Sequence, residues 1–398
     1  MIRKTKQKTK YPRIVYALPI ISLCAVMFLG GAQKAIPDEI NLANAESYAP
    51  QTAYTLADPS EEQSSHNIYT AKLFGILPTK SVKSKFFSNI YLVPGGDVFG
   101  VKFFTDGVVV TDLSEVESDE GIICPAKKAG LKPGDVVTSV NGHELASSED
   151  LTEISEKSGG KQLSLEFERD GKKYKANLLP VRSSSDGMYK LGMWVRDSTA
   201  GIGTVTFYDP SDGSFAGLGH GIYDADTELL LPLRRGAVVD IELDDIVRGR
   251  QGHPGELKGS FGTEKTGSIL KNTPAGVFGI MASPPQTIYE KTECAAREEV
   301  TLGDAVILSN VDGRGVKEYA VEITKIYSGN EETKNFVITV RDEKLMELTG
   351  GIVRGMSGSP IIQNGKLVGA VTHVFVNDPT RGYGIFIENM LAEAEKIK

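Results

Sequence analysis

Cysteine, histidine and tryptophan are scarce in this chain of 398 residues, with three, five and one copies. No C-x-x-C or H-E-x-x-H motif occurs, so the sequence predicts no metal site, and nothing in it points to a cofactor. Cys24 lies in an apolar segment, which leaves Cys124 and Cys294 as two thiols that an exported chain could pair. The net charge of −8 offers no broad basic surface, so we expect no nucleic-acid partner.

The N-terminus combines a basic segment with an apolar one. Lys and Arg are concentrated before Ile14, and an apolar run then extends to Ala32, about the length that crosses a bilayer. The basic flank is expected to stay in the cytoplasm, which places the rest of the chain outside. We therefore predict a cytoplasmic tail and transmembrane segment over residues 1–35, in contact with the membrane through residues 14–32. A cleaved signal peptide is the alternative.

Residues 36–88 are polar and have poor apolar periodicity. This composition predicts a flexible exported stalk that is open to proteolysis.

Residues 89–183 have the pattern of a bacterial PDZ domain. Ala129 to Asp135 reads A-G-L-K-P-G-D, and a short apolar strand then leads to an Asn141-Gly142 turn. Ser147 to Asp150 form a capping signal, which predicts a helix over residues 150–156. PDZ domains bind an extended peptide as an added strand beside such a helix.

The early glycine-rich segment of this region is our candidate for holding the carboxylate of a bound peptide. The predicted peptide-binding residues are Gly95, Gly96, Phe99, Gly100 and Val101. The chain's own N-terminal region, a substrate and an inhibitor are all candidate ligands.

Short apolar runs bounded by Gly, Asp and Pro recur from residue 188 to residue 398. Such spacing predicts an all-β domain, and hence a mostly β chain. Within it, Gly355 to Pro360 reads G-x-S-G-x-P, the loop that presents the nucleophilic serine in chymotrypsin-like peptidases. The glycines allow a tight turn in which the N–H groups of Gly355 and Ser357 form an oxyanion hole.

A serine needs a base to take its proton, and His220 is the best candidate. Glycine flanks it on both sides, so its ring can sit in a tight bend with little screening. His373 lies in an apolar strand pattern and is predicted to be a core or edge residue.

The C-terminal half resembles the peptidase domain of stage IV sporulation protein B of endospore-forming bacteria. The matching stretches are Gly217–Ile222 with the acidic turn after it, Gly252–Glu256, and Thr349–Arg354 running into the Ser357 loop. The resemblance implies that Ser357 is the nucleophile, His220 the base and Asp342 the acid that orients His220. The spacing of the short strands, with His220 before Ser357, favours a double β-barrel of chymotrypsin type over residues 188–398.

Asp342 has a competing structural interpretation. It precedes a short helical pattern, where aspartate is a good N-cap. On chain order, Asp240, Asp244 and Asp245 are alternatives for the acid.

The same resemblance implies a signalling role. Family members sit in the forespore inner membrane with their body in the intermembrane space. They cleave themselves and cleave a regulator of an intramembrane protease, which triggers a sporulation sigma-factor checkpoint. The alternatives are a general envelope quality-control PDZ protease and a non-catalytic peptide-binding protein.

Overall fold

The computed structural model describes residues 39–41, 54–57, 68–73 and 77–85, and then residues 90–285, 287–327 and 333–394. Contacts divide the chain into two compact units, Met1–Ser88 and Asn89–Lys398. The predicted membrane segment, residues 14–32, lies outside the described residues. No helix within the described ranges is long and apolar enough to cross a bilayer.

The first unit contains a four-stranded sheet. Its strands are β1 (Glu39–Asn41), β2 (Tyr54–Ala57), β3 (Ile68–Leu73) and β4 (Leu77–Lys85), in the order β1-β4-β3-β2. Strand β1 pairs with β4 in parallel, and the other pairs are antiparallel. The prediction of a flexible stalk did not include this regular pairing. Aromatic and β-branched residues such as Tyr54 and Ile68 favour strands locally, although the segment as a whole is polar.

The second unit is built mainly from strands. In the first part of the chain these are β5 (Tyr91–Pro94), β6 (Val98–Leu113), β7 (Val116–Ser118), β8 (Gly121–Ile123), β9 (Val136–Val140), β10 (His143–Glu144), β11 (Leu163–Arg169), β12 (Lys172–Leu178), β13 (Val181–Arg182) and β14 (Tyr189–Lys190). The later strands are β15 (Met193–Asp209), β16 (Ser214–Gly217), β17 (Leu233–Val247), β18 (Glu256–Thr273), β19 (Gly276–Met281), β20 (Thr292–Glu293), β21 (Gly303–Ser309), β22 (Lys317–Ile326), β23 (Phe336–Val340), β24 (Pro360–Gln363), β25 (Lys366–Phe375) and β26 (Asp378–Phe386).

Helices are few and short in the described part of this unit. They are α1 (Pro125–Lys128), α2 (Ser148–Lys157), a 3-10 turn at Arg297–Glu299, α3 (Glu343–Thr349) and α4 (Ile387–Ala394). Helix α2 confirms the predicted capping signal, because the Ser147 hydroxyl accepts from the Asp150 N–H and the Asp150 carboxylate accepts from the Ser147 N–H.

Strand β6 and the five consecutive strands β15 to β19 close into a first barrel. Strand β6 pairs with both β15 and β17, and the ring continues through β18, β19 and β16 back to β15. Its interior is packed with buried side chains that include Phe99, Phe103, Phe215, Val238 and Ile269. Strands that are closed on themselves leave no unpaired edge.

The second barrel is closed in the order β21-β22-β23-β26-β25-β24. Phe336, Ile338, Ile307 and Ile361 are among the residues that fill it. The predicted double barrel is therefore present, and the two barrels differ in where their strands come from along the chain.

The PDZ region is inserted into the first barrel. The first half of β6 is a strand of that barrel, and its second half pairs with β9 at Val108 and Val109. Strand β15 starts beside Leu113 and ends as a strand of the barrel. The PDZ core, with α1 and α2 around β9, β11 and β12, thus lies between two long strands that continue into the peptidase barrel.

This arrangement contradicts the predicted peptide-binding role of Gly95, Gly96, Phe99, Gly100 and Val101. Phe99 and Val101 are buried in the first barrel, where Phe99 packs edge-on against Phe215 with ring centroids 5.8 Å apart. Gly96 N–H donates to the Val205 carbonyl oxygen (2.8 Å), within the same barrel. The glycine-rich segment is therefore structural, since the first half of β6 continues into the barrel instead of edging a PDZ groove.

Candidate active site

Ser357 and His220 line one cavity of about 470 Å³ in the second unit. His220 follows β16 of the first barrel, and Ser357 lies in the loop before β24 of the second. The structure thus brings together the predicted nucleophile and the predicted base, although 136 residues separate them in the sequence.

The Ser357 loop is held by two threonines of β15. Thr204 N–H donates to the Ser357 carbonyl oxygen (2.9 Å), and the Thr204 hydroxyl donates to the Gly355 carbonyl oxygen (2.8 Å). The Thr206 hydroxyl donates to the Gly358 carbonyl oxygen (2.8 Å). The first barrel therefore fixes the backbone that presents the nucleophile of the second.

Gly358 is required by this close approach. Its φ is +97°, and a Cβ there would lie 2.0 Å from the Thr204 carbonyl oxygen and 2.5 Å from the Leu218 nitrogen. Both the left-handed backbone and the contact exclude a side chain. The second glycine of the G-x-S-G motif is therefore needed because no side chain fits between the Ser357 loop and the first barrel.

Two N–H groups of the loop have no acceptor among the described residues. Met356 N–H donates to the Val353 carbonyl oxygen (3.1 Å), whereas the N–H groups of Gly355 and Ser357 on either side make no hydrogen bond within the part of the chain that the structure describes. These two groups were predicted to form the oxyanion hole. Unpaired donors beside a nucleophile suit the developing negative charge of a tetrahedral intermediate.

His220 follows two residues with left-handed backbones, and a hydrogen bond to Gly221 orients its ring. Leu218 and Gly219 both have left-handed backbones, with φ of +69° and +65°. His220 Nδ1 lies 2.8 Å from the Gly221 carbonyl oxygen. Because a carbonyl can only accept, Nδ1 carries the proton and Nε2 is left as the base. Burial lowers the pKa of His220, so the ring stays neutral at neutral pH.

The Ser357 hydroxyl donates to the Thr372 carbonyl oxygen at 2.7 Å. It must release this bond before its proton can pass to His220. The described geometry is therefore that of a nucleophile at rest.

His373 is a member of the site that sequence analysis missed. Its ring lies beside that of His220, with centroids 4.7 Å apart and planes tilted by 34°. Its Nδ1 is buried and has no partner among the described residues. Burial first and the neighbouring His220 second lower the pKa of His373 to about 4. The apolar strand pattern around it gave no signal, because the pairing arises only when β25 meets the His220 bend.

Asp342 does not lie at this site, which corrects the prediction that it orients His220. Its carboxylate caps α3, accepting from the N–H of Leu345 at 2.8 Å and from the N–H of Ala320 at 3.4 Å. It does not line the cavity. The competing interpretation of Asp342 as an N-cap describes its contacts.

The three alternative acids are also elsewhere. Asp240, Asp244 and Asp245 lie on β17 outside the cavity; Asp244 accepts from the Ser260 hydroxyl and Asp245 from the Ile246 N–H. Among the described residues that line the cavity, none is Asp or Glu. The Gly221 carbonyl therefore stands where a carboxylate completes a Ser-His-Asp triad.

The described residues contain no cluster of three or more His, Cys, Asp or Glu that could hold a metal ion. Cys124 and Cys294 are both free thiols.

The model of the SpoIVB peptidase S55 family matches residues 187–391, just over half of the 398 residues. The chain belongs to the SpoIVB peptidase S55 family. A PDZ domain model matches residues 96–179. The chain therefore joins a domain of the S55 peptidase family to a PDZ domain. The S55 match begins after β5 and β6, so part of the first peptidase barrel lies within the stretch matched as PDZ.

Curated relatives share only short segments with this S55 peptidase. A putative zinc metalloprotease of Neisseria meningitidis is 41% identical over 56 residues, which cover 14% of this chain and 13% of the relative. The zinc metalloprotease RasP of Shouchella clausii is 42% identical over 53 residues, 13% of each chain. A putative zinc metalloprotease of Lactococcus lactis is 38% identical over 118 residues, 29% of this chain and 25% of its own. The chain thus spans a quarter or less of these relatives.

Solved structures are similar at low scores. The Rv3671c protease from M. tuberculosis in its active form is 15% identical, covering 50% of this chain and 74% of its own at a TM-score of 0.30. The HtrA-type protease AlgW is 12% identical, covering 50% and 57% at a TM-score of 0.30. The PDZ domain of an SdrC-like protein from Listeria monocytogenes is 22% identical, covering 23% and 87% at a TM-score of 0.19. These scores are too low to assign a role to this chain from the solved structures.

Proposed function

We propose that this S55 peptidase is an exported, membrane-anchored endopeptidase that cleaves its own N-terminal region. We further propose that it triggers a sporulation checkpoint by cleaving a regulator of an intramembrane protease. Its place would be the forespore inner membrane, with the body of the chain in the intermembrane space. The observation that carries the peptidase chemistry is the meeting of Ser357, His220 and two unpaired N–H groups at one cavity.

The chemistry follows from these groups. His220 Nε2 takes the Ser357 proton as the hydroxyl oxygen attacks the scissile carbonyl, and the Gly355 and Ser357 N–H groups bind the resulting oxyanion. The imidazolium then gives the proton to the leaving amine, which leaves an acyl-enzyme. Water hydrolyses this ester with His220 again as base. The Gly221 carbonyl accepts from Nδ1–H throughout and so keeps the productive tautomer.

The composition of the N-terminal unit supports self-cleavage. Residues 36–88 belong to a unit separate from the one that holds the active site. The segment is polar, and exposed polar segments are the preferred sites of proteolysis.

The PDZ region supplies a second binding surface. A cavity of about 400 Å³ lies along α2, lined by Leu151, Thr152 and Ser155 and by residues 188–195. We expect a peptide ligand to bind there, and the chain's own N-terminal region is one candidate. A general envelope protease would use the same surface for misfolded chains.

The experiment is a comparison of the full chain in detergent, wild type and Ser357→Ala. Wild type is expected to react with a fluorophosphonate probe and to cut itself between residues 36 and 88. Loss of the nucleophile is expected to lower the rate by about four orders of magnitude or more. Mass spectrometry and N-terminal sequencing give the cut, and labelling gives the reactive serine.

Asp342→Asn is the matched control. Asparagine is as good an N-cap as aspartate, so this variant is expected to fold and to retain activity within a few-fold. A folded but inactive Asp342→Asn would show that the carboxylate acts in catalysis. Equal labelling of wild type and Ser357→Ala would contradict the nucleophile assignment. Cleavage of casein without any sporulation defect on gene replacement would favour the envelope protease.

A further inference from the structure

Arg354 lies three residues before Ser357 and lines the same cavity. Its backbone is fixed on both sides: its N–H donates to the Gly255 carbonyl oxygen (2.8 Å), and its carbonyl oxygen accepts from the Leu257 N–H (2.9 Å). Its side chain is exposed. Arg354 thus adds a charged residue to the lining of the cavity, on a backbone that is held on both sides.

Arg354 has no carboxylate partner among the described residues, whereas some arginines of the unit do. Arg169, Arg196 and Arg297 pair with carboxylates at 2.6 Å, 2.6 Å and 2.7 Å. Within the described ranges Arg354 forms no ion pair, and no carboxylate lines its cavity. Glu256, the acidic residue nearest to its backbone contacts, pairs with Lys258 at 3.7 Å.

We infer that Arg354 selects substrates with an acidic residue near the scissile bond. The inference rests on the proposed peptidase chemistry of Ser357 and His220, and it names the substrate class. A guanidinium binds a carboxylate through paired N–H donors, which favours Asp or Glu over their amides. The cavity is otherwise mainly apolar, with Val101, Ile202, Leu218, Ile352, Val353 and Val374 in its lining. The preferred substrate therefore combines an apolar residue with an acidic one a few positions away.

The chain carries a segment of this class. Residues 36–71 hold six carboxylates and no Lys or Arg: Asp38, Glu39, Glu46, Asp58, Glu61 and Glu62. Residues 36–71, the larger part of the segment proposed for self-cleavage, are thus complementary in charge to Arg354, whereas residues 72–88 carry four lysines. Cuts within residues 36–71 are expected close to the six carboxylates.

The test uses pairs of peptides that differ only by Asp against Asn at each position around one apolar cleavage site. The full-length wild-type protein is expected to cleave the best Asp peptide with a kcat/KM about five- to tenfold higher than that for the matched Asn peptide. The preference should fall as salt rises from low to high concentration, because the pair is exposed and screened. These two measurements need no variant.

Variants then assign the preference to one residue. Arg354→Gln is expected to bring the Asp/Asn ratio near one, and Arg354→Glu to favour Lys peptides over Asp peptides. Arg314 is an exposed arginine that does not line the cavity, and Arg314→Gln should leave the ratio unchanged.

The outcomes separate this inference from the function on which it rests. Cleavage of both peptides of each pair at equal rates by wild type would overturn the role of Arg354 and leave the peptidase intact. A preference that survives Arg354→Gln would also overturn it. Failure of wild type to label with fluorophosphonate or to cleave any peptide would instead contradict the proposed function.

Discussion

The barrel that carries His220 takes one strand, β6, from before the PDZ region and five from after it, whereas the barrel next to Ser357 is a continuous stretch from β21 to β26. The PDZ region interrupts the first barrel between β6 and β15, and no comparable insertion interrupts the described part of the second. The barrel of His220 therefore depends on the PDZ region for its continuity, and the barrel of Ser357 does not.

The His220 loop, residues 218–232, also contacts the PDZ region. Arg196, where β15 leaves the PDZ region, pairs with Asp224 at 2.6 Å and with Asp226 at 2.9 Å. Leu229 packs so closely on the PDZ turn that a Cβ on Gly134 would lie 2.6 Å from it. Contacts with the PDZ region thus stabilise the loop of the base, His220. Hydrogen bonds from Thr204 and Thr206 of β15 stabilise the loop of the nucleophile, Ser357.

Gly358→Ala is expected to displace the Ser357 loop and to lower activity more than any variant of the His220 half. The new methyl would meet the Thr204 carbonyl at 2.0 Å, so the Ser357 backbone must move. Misplacement of about 1 Å can cost a hundredfold, and we expect kcat/KM to fall by about two to three orders of magnitude. Peptide cleavage and fluorophosphonate labelling rates measure it.

Gly365→Ala is the control for backbone strain. Gly365 also has a left-handed backbone, with φ of +77°, but nothing lies within 4 Å of its would-be Cβ. It should cost about 1 kcal/mol of stability and leave kcat unchanged. Equal activity losses in both variants would show that the close approach at Thr204 is unimportant.

Arg196→Gln tests the stabilisation of the His220 loop. The side chain of Asp224 is fully buried, so removal of its partner leaves an uncompensated charge that costs about 3 kcal/mol. We expect kcat to fall about tenfold as the His220 loop loosens, measured well below the unfolding temperature.

Arg169→Gln is its matched control within the PDZ region. Arg169 pairs with Asp135, whose side chain is 1% exposed, so the loss of stability should be similar. Its kcat should fall less than that of Arg196→Gln, because neither side chain of the pair bonds to the His220 loop, which meets this turn through Leu229 and Gly134. A parallel fall of kcat in both variants would mean that lost stability, and not the loss of the Arg196 contact, explains the effect.

The smallest expected effect concerns pH and the histidine pair. The folded pKa of His373 is lowered to about 4 from the ordinary value of 6.5, so between these values the unfolded chain binds a proton that the folded chain does not. The free energy of unfolding should therefore fall as the pH drops from 6.5 towards 4, by about 1 to 2 kcal/mol after allowance for partial exposure.

Denaturant titrations at several pH values measure this slope. His373→Gln should flatten it without abolishing it, because the lowered pKa of His220 acts in the same direction. An unchanged slope in His373→Gln would show that His373 is not responsible.

Local signals predicted the parts of the site that depend on few residues. The glycines around Ser357 and His220 encode their bends directly, and the Ser147–Asp150 capping box encodes the start of α2. The prediction that Asp342 orients His220 was wrong. It came from the family resemblance, whereas the local sequence indicated a helix N-cap, and the structure shows that cap.

The partners of long strands were beyond sequence analysis. Strand β6 runs without a break from Val98 through Asp106-Gly107 to Leu113. Periodicity indicates that a segment is extended but not which strand it will pair with. The place of Gly95 to Val101 in a peptidase barrel, and the meeting of His373 with His220, both depend on such pairings.

Strand β6 also sets the order in which the enzyme can mature during synthesis. It leaves the ribosome before the PDZ region, but one of its barrel partners, β17, begins only at Leu233. Because pairing between distant strands is slow, half of β6 must wait unpaired while the PDZ region forms around its other half. The nascent chain is therefore expected to form the PDZ region before the peptidase barrel is complete, and excising the PDZ region would cut strand β6 between its two halves.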